Sequence, residues 1–139
     1  MVSEGVNVSS ILKGLISYGL RPTRQRKLLA KFIFSKGNHH FSAEEICRAV
    51  RKLRAGVSRA TVYNTLNQFT EAGFLREVVV SSGQSLFDTN LDNHYHFYDE
   101  VDGKLIDIPG SEINVSLSDN IPFKDEITDI DVVIRLQPA

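Results

Sequence analysis

Apolar residues in this chain change their spacing once, at Phe74, and that change limits what it can fold into. Upstream they recur every three or four residues, as on amphipathic helices; downstream they alternate or fall in short β-prone runs. Ile11, Leu12, Leu15 and Ile16 predict a short first helix ending near Gly19. Leu20-Arg21-Pro22-Thr23 breaks it, and Thr23 is placed to cap a second helix that turns Leu28, Leu29, Phe32 and Ile33 inward and stops at Gly37. Ser42-Ala43-Glu44-Glu45 reads as a capping box for a third helix, with Ile46, Ala49, Val50 and Leu53 on its apolar face. Ser58 caps a fourth, whose Val62, Leu66 and Phe69 face a core before Gly73 ends it.

Phe74–Val80 and Gln84–Asp88, separated by Ser81-Ser82-Gly83, then read as a hairpin. Helices followed by a two-stranded ribbon predict a winged helix-turn-helix, whose fourth helix would enter a major groove by its N-terminal end. Beyond Leu91-Asp92-Asn93 come a strand around His94–Tyr98, a turn at Asp102-Gly103 and a strand around Lys104–Ile108. Ile113, Val115 and Leu117 alternate with polar residues and suggest another strand, and Asp131–Leu136 a C-terminal one. The expected fold class is therefore α+β: a winged helix-turn-helix domain over 1–90, a hinge at about 89–93, and a small, mostly β domain over 91–139. So small a second domain buries little core alone and is expected to complete itself by dimerisation. Residues 1–8 are polar and expected to be loose.

Net charge is −1, yet residues 1–90 carry 13 Lys/Arg against 6 Asp/Glu, and residues 91–139 carry 3 against 11. A basic first part points to a polyanionic partner, double-stranded DNA, and a separate task for the second. Hydrophobic residues make up 42%, in runs too short to cross a bilayer, so no membrane partner is expected. Met1-Val2-Ser3-Glu4-Gly5 shows no secretory pattern, and the single Cys47 excludes an intrachain disulfide or a multi-thiolate zinc site. A cytoplasmic location is expected. Cys47 lies beside the third helix's apolar stripe and reads as a small core residue rather than a redox switch.

Two sets of residues carry chemistry. His94 and His96 lie two apart in a strand, so both imidazoles point to one face. An isolated His-x-His also occurs on solvated strands, but here Asp88 and Asp107 flank it and His40 stands upstream. Three imidazoles and two carboxylates suit five- or six-coordinate Fe(II) or Mn(II) better than a tetrahedral thiolate centre. His39, beside His40, is expected to be exposed. The second set is the polar face of the fourth helix, Ser58, Arg59, Thr61, Tyr63 and Asn64, together with Arg21, Arg24 and Arg26 near the second. Ser58 is primarily a cap, Arg59 a base or phosphate reader, and Tyr63 an aromatic on a polar face that can touch a thymine methyl or a phosphate.

Gly19-Leu20-Arg21-Pro22-Thr23-Arg24-Gln25-Arg26, Val57-Ser58-Arg59-Ala60-Thr61-Val62-Tyr63-Asn64-Thr65-Leu66 and the His-Tyr-His strand resemble the Fur family of metal-dependent repressors, from about residue 11 onward. The resemblance implies a homodimer on operator DNA, with a winged helix, a dimerisation domain and a regulatory metal site between them. Position by position, His40 matches the ligand on the DNA-binding domain and Asp88 the hinge carboxylate. His94 and His96 match the dimerisation-domain histidines, and Asp107 the final carboxylate. It also implies that Arg21 reaches a minor groove.

These spacings look like the peroxide-sensing PerR branch, whose last ligand is Asp. Asp-Val-Val-Ile-Arg-Leu near the C-terminus and the scarcity of cysteine look like the Irr branch. The family's paired Cys-x-x-Cys motifs are missing, with Asp99 and Asp102 at the first pair's positions, so structural zinc is not expected. The resulting expectation is a transcriptional regulator, not an enzyme, controlling iron or manganese homeostasis or peroxide stress. One divalent metal per subunit is expected, Mn(II) or Fe(II), with Zn(II) in a purified sample. The alternatives are a heme-responsive Irr-type iron regulator and, remotely, a metal-dependent hydrolase.

Overall fold

The computed structural model describes residues 7–81 and 83–137; residues 1–6, most of the N-terminal segment expected to be loose, and Ser82 of the predicted turn lie outside them. Two compact units divide between Leu91 and Asp92. The first contains α1 (Val8–Ser17), α2 (Arg24–Phe34), β1 (His40–Phe41), α3 (Ala43–Lys52), α4 (Arg59–Glu71), β2 (Arg76–Ser81) and β3 (Gln84–Asp88). The second contains β4 (His94–Asp99), β5 (Lys104–Pro109) and β6 (Val133–Leu136). The chain is α+β, a winged helix-turn-helix followed by a small β unit.

Each helix of the first unit starts where a side chain accepts an N–H that the helix leaves unpaired. Asn7 accepts from Ser9, Thr23 from Arg26, Ser42 from Glu45 and Ser58 from Thr61. The core joins Ile11 and Leu15 of α1, Leu29, Ile33 and Phe34 of α2, Ile46 and Val50 of α3, and Val62, Leu66 and Phe69 of α4. Gly14 lets α1 approach Phe74: a Cβ there would stand 2.1 Å from the ring's Cζ, inside any van der Waals contact.

Four apolar positions fall off the fully buried stripes that their spacing assigned. Ile16 is 58% exposed, because α1 buries Ile11 and Leu15 and packs Val8 and Leu12 partly against the core, leaving Ile16 outside that face. Leu53 is also 58% exposed, since α3 ends at Lys52 and Leu53 is its C-cap. In α2 the buried stripe includes Ala30 and Phe34, leaving Leu28 and Phe32 half-buried.

The wing has three strands rather than two, in the order β1-β3-β2. β1 was not expected, because two residues are too few to show a period. It pairs antiparallel with β3 in the register His40↔Asp88 and Phe41↔Phe87, and the Phe41 and Phe87 rings stack with centroids 5.7 Å apart. Cys47 is buried, as its place beside the apolar stripe predicts, and burial pushes its thiol pKa up.

In the second unit β4 is central, antiparallel to β5 and parallel to β6. Gly103, at φ 67°, takes the left-handed turn that joins β4 to β5. The strand expected around Ile113, Val115 and Leu117 does not form. The chain makes a 3-10 turn at Gly110–Glu112 and then runs irregularly, with Val115 and Leu117 exposed. A second 3-10 turn at Lys124–Glu126 precedes β6. No helix among the described residues is long and apolar enough to cross a membrane.

Candidate metal centre and nucleic-acid interface

Strand alternation builds the larger group of donors. Along β4 burial alternates, placing His94 and His96 on the covered face at 7% and 3% exposure. Register sets Asp107 of β5 directly opposite His96. Asp107 Oδ1 lies 3.3 Å from His96 Nε2 and 3.4 Å from His94 Nε2, and the two rings meet edge to face with centroids 4.6 Å apart. His94 Nδ1 donates to the carbonyl of Asp92 at 2.5 Å. A carbonyl only accepts, so the proton of the neutral ring belongs on Nδ1 and the lone pair on Nε2, the atom turned toward Asp107.

The first unit holds a smaller group. The β1–β3 register puts His40 across from Asp88, with Nε2 and Oδ2 3.2 Å apart. Asp88 is 1% exposed, and its other oxygen accepts the Asn90 N–H at 2.8 Å. A carboxylate this deep is costly to bury unless it is paired or binds a cation.

Distances decide whether a metal fits. Two donors bound side by side to one ion at about 2.1 Å stand about 3.0–3.4 Å from each other. His40–Asp88, His94–Asp107 and His96–Asp107 all fall in that window. Donor type fits too, being imidazole and carboxylate without thiolate, the choice of Mn(II), Fe(II) or Zn(II) over Cu(I).

His39 is not the exposed residue expected. Its Nε2 lies 2.7 Å from the carbonyl of Ile33, its ring packs 5.3 Å from that of Phe41, and its N–H donates to Thr89 Oγ1. The last carbonyls of α2 lack helical partners, and His39 supplies one. That role was invisible in sequence, because the histidine follows the helix by several residues.

The N-terminal half of α4 carries the polar face. Arg59, Tyr63 and Asn64 are exposed, while Thr61 is half-buried and Ser58 is engaged as the cap, its Oγ 2.8 Å from Thr61 Oγ1. Arg26 serves the fold: its Nε donates to Gln68 Oε1 and its Nη1 to the carbonyl of Arg21, tying the start of α2 to α4. Arg24 donates at 3.4 Å to the carbonyl of Ala55, and Arg21 is exposed. One participant was missed from sequence, Glu44 in the first turn of α3. Its carboxylate accepts from the Arg59 guanidinium and, at 2.7 Å, from the Tyr63 hydroxyl.

Comparison with known proteins points one way. The profile of the ferric uptake regulator family matches residues 17–135. The peroxide-responsive repressor PerR of Staphylococcus aureus is 34% identical over 96 residues, which cover 69% of this chain and 64% of that repressor. The chain thus spans under two thirds of that relative's length. Among solved structures, the ferric uptake regulator of Vibrio cholerae superposes with a TM-score of 0.68 at 23% identity, covering 91% of this chain and 98% of the other. That of Pseudomonas aeruginosa, solved with manganese, superposes at 0.66 and 24% identity, covering 91% and 96%.

Proposed function

Since this chain belongs to the ferric uptake regulator family, we propose that it is a metal-responsive transcriptional regulator that binds operator DNA as a homodimer. The observation that carries the reading is the convergence of the His94 and His96 Nε2 atoms on one Asp107 oxygen at metal-ligand spacing. The relatives compared are repressors and regulators rather than hydrolases. We assign His94, His96 and Asp107 as ligands from the second domain, with His40 and Asp88 joining them from the winged helix on one divalent ion per subunit. When bound, Mn(II) or Fe(II) would supply a bridge that is complete in only one relative orientation of the domains. Whatever binds one state better shifts the population toward it, and in a dimer that orientation sets the separation of the two α4 helices against the operator's half-sites.

Arg59, Tyr63 and Asn64 are assigned to the groove, with Thr61 beside them and Ser58 presenting the helix N-terminus. Arg21 and Arg24 are assigned to phosphates; Arg26 acts chiefly by holding α2 to α4.

Purified protein is expected to select a duplex from a randomised pool with Mn(II) present and to lose it on chelation, while sedimenting as a dimer. Equal binding with and without metal, or a monomer at micromolar concentration, would count against the reading. The signal within this class is proposed to be peroxide, following the PerR relative at 34% identity. Fe(II) held by nitrogen and oxygen donors can reduce peroxide, and no thiol stands ready to react, since Cys47 is buried. Fe(II)-loaded protein treated briefly with peroxide is then expected to carry one added oxygen atom on a peptide containing His40 or His94. No such addition, together with loss of DNA binding on adding heme, would replace peroxide by heme as the signal.

A further inference from the structure

We propose that Glu44 is a specificity-determining positioning residue, holding Arg59 and Tyr63 as one unit and withholding Arg59 from indiscriminate phosphate contacts. The inference rests on the DNA-binding reading above. Both Glu44 oxygens are used: Oε2 accepts Arg59 Nη1 at 2.9 Å, and Oε1 accepts Arg59 Nη2 and the Tyr63 hydroxyl. Arg59 Nη2 also lies 3.3 Å from the Tyr63 hydroxyl oxygen, and the guanidinium carbon sits 5.2 Å from the centroid of that ring. A carboxylate on α3 therefore fixes the two largest exposed side chains at the start of α4.

This pairing uses the same fork of the guanidinium that grips a phosphate or the O6/N7 edge of guanine. To touch a phosphate through that fork, Arg59 must leave Glu44, and the carboxylate is then stranded near another negative charge. Random-sequence DNA offers one phosphate contact in return. A matched site adds contacts to neighbouring side chains and bears the loss better. Glu44 thus lowers nonspecific binding more than specific binding, which raises the ratio between them. The pair is intact at neutral pH: the hydrogen bonds from Arg59 and Tyr63 hold the Glu44 carboxyl below its usual range, and the bond to Glu44 pushes the Tyr63 phenol up.

The test compares Mn(II)-loaded full-length wild type with Glu44→Gln on two probes, a random-sequence duplex and a duplex enriched by the wild type from a randomised pool. Glu44→Gln is expected to bind the random duplex roughly three- to tenfold more tightly, with a log–log salt slope steeper by about 0.9, one phosphate's worth. The enriched duplex is expected to gain less. Glu45→Gln makes the same charge change one residue along the same exposed turn and is expected to leave the slope unchanged. Arg59→Ala should erase the effect of Glu44→Gln. An unchanged slope in Glu44→Gln overturns the proposal, even if melting shows a weakened helix, and so does an equal change in Glu45→Gln. Wild type that binds neither duplex defeats the DNA-binding reading itself.

Discussion

The His94→Ala/His96→Ala double variant is expected to lose Mn(II) binding and, with it, metal-dependent DNA binding, while its far-UV circular dichroism stays that of the wild type. These two rings supply both nitrogens that converge on Asp107, so Asp107 would be left as the one proposed ligand of the second unit. Loss of even an outer partner of a metal ligand typically costs ten- to a hundredfold in affinity. Removing two direct ligands should exceed about a hundredfold by titration calorimetry. Helical content should hold, because the helices lie in the first unit, which has its own core. His39→Ala is the informative contrast: it should leave Mn(II) affinity intact but lower stability by about 1 kcal/mol, the worth of its bond to the Ile33 carbonyl. Full Mn(II) affinity in the double variant would remove the site; lost affinity in His39→Ala would mean that the wrong histidine of the pair had been assigned.

The pairing of two candidate donors was legible in sequence because strand geometry is simple. Residues two apart share a face, and that alone puts His94 beside His96. The convergence with Asp107 needed the register of β4 against β5, and the facing of His40 and Asp88 needed a two-residue strand that carries no period at all. Helices were legible for a different reason: capping residues and glycines bracket them, and the caps read from sequence at Thr23, Ser42 and Ser58 are those that form. Contacts between elements were not. The Glu44–Arg59–Tyr63 cluster joins residues 15 and 19 apart in sequence, and Glu44 reads there as an intervening position of the Ser42–Glu45 capping box. The charge asymmetry drew attention to the basic residues as DNA contacts, yet Arg26 proves to be bonded within the fold.

Phe69→Ala is expected to cause the largest loss of stability. Phe69 is fully buried in the core of the first unit, its ring centroid 5.8 Å from that of Phe34 on α2. It lies in the last turns of α4, so truncation opens a hole where α4 meets α2, between helices held by packing rather than by a disulfide. Removing a phenyl ring from such a site costs about 3–5 kcal/mol through lost transfer energy and the cavity left behind. Set against a total stability of about 5–15 kcal/mol, that could unfold the unit near physiological temperature. In a unit of this size each kcal/mol is worth about 4–8 °C, so the helical signal should melt more than about 12 °C lower. Leu53→Ala provides the control. Spacing alone puts Leu53 on the apolar stripe of α3 and assigns it a core-like cost, but it is the C-cap and 58% exposed. Its replacement should change stability by no more than about 0.5 kcal/mol. A large loss in Leu53→Ala would restore the simple helical stripe. A small one in Phe69→Ala would mean that α4 is not packed against α2 as described, and that its exposed face, with Arg59 and Tyr63, must be reassigned as well.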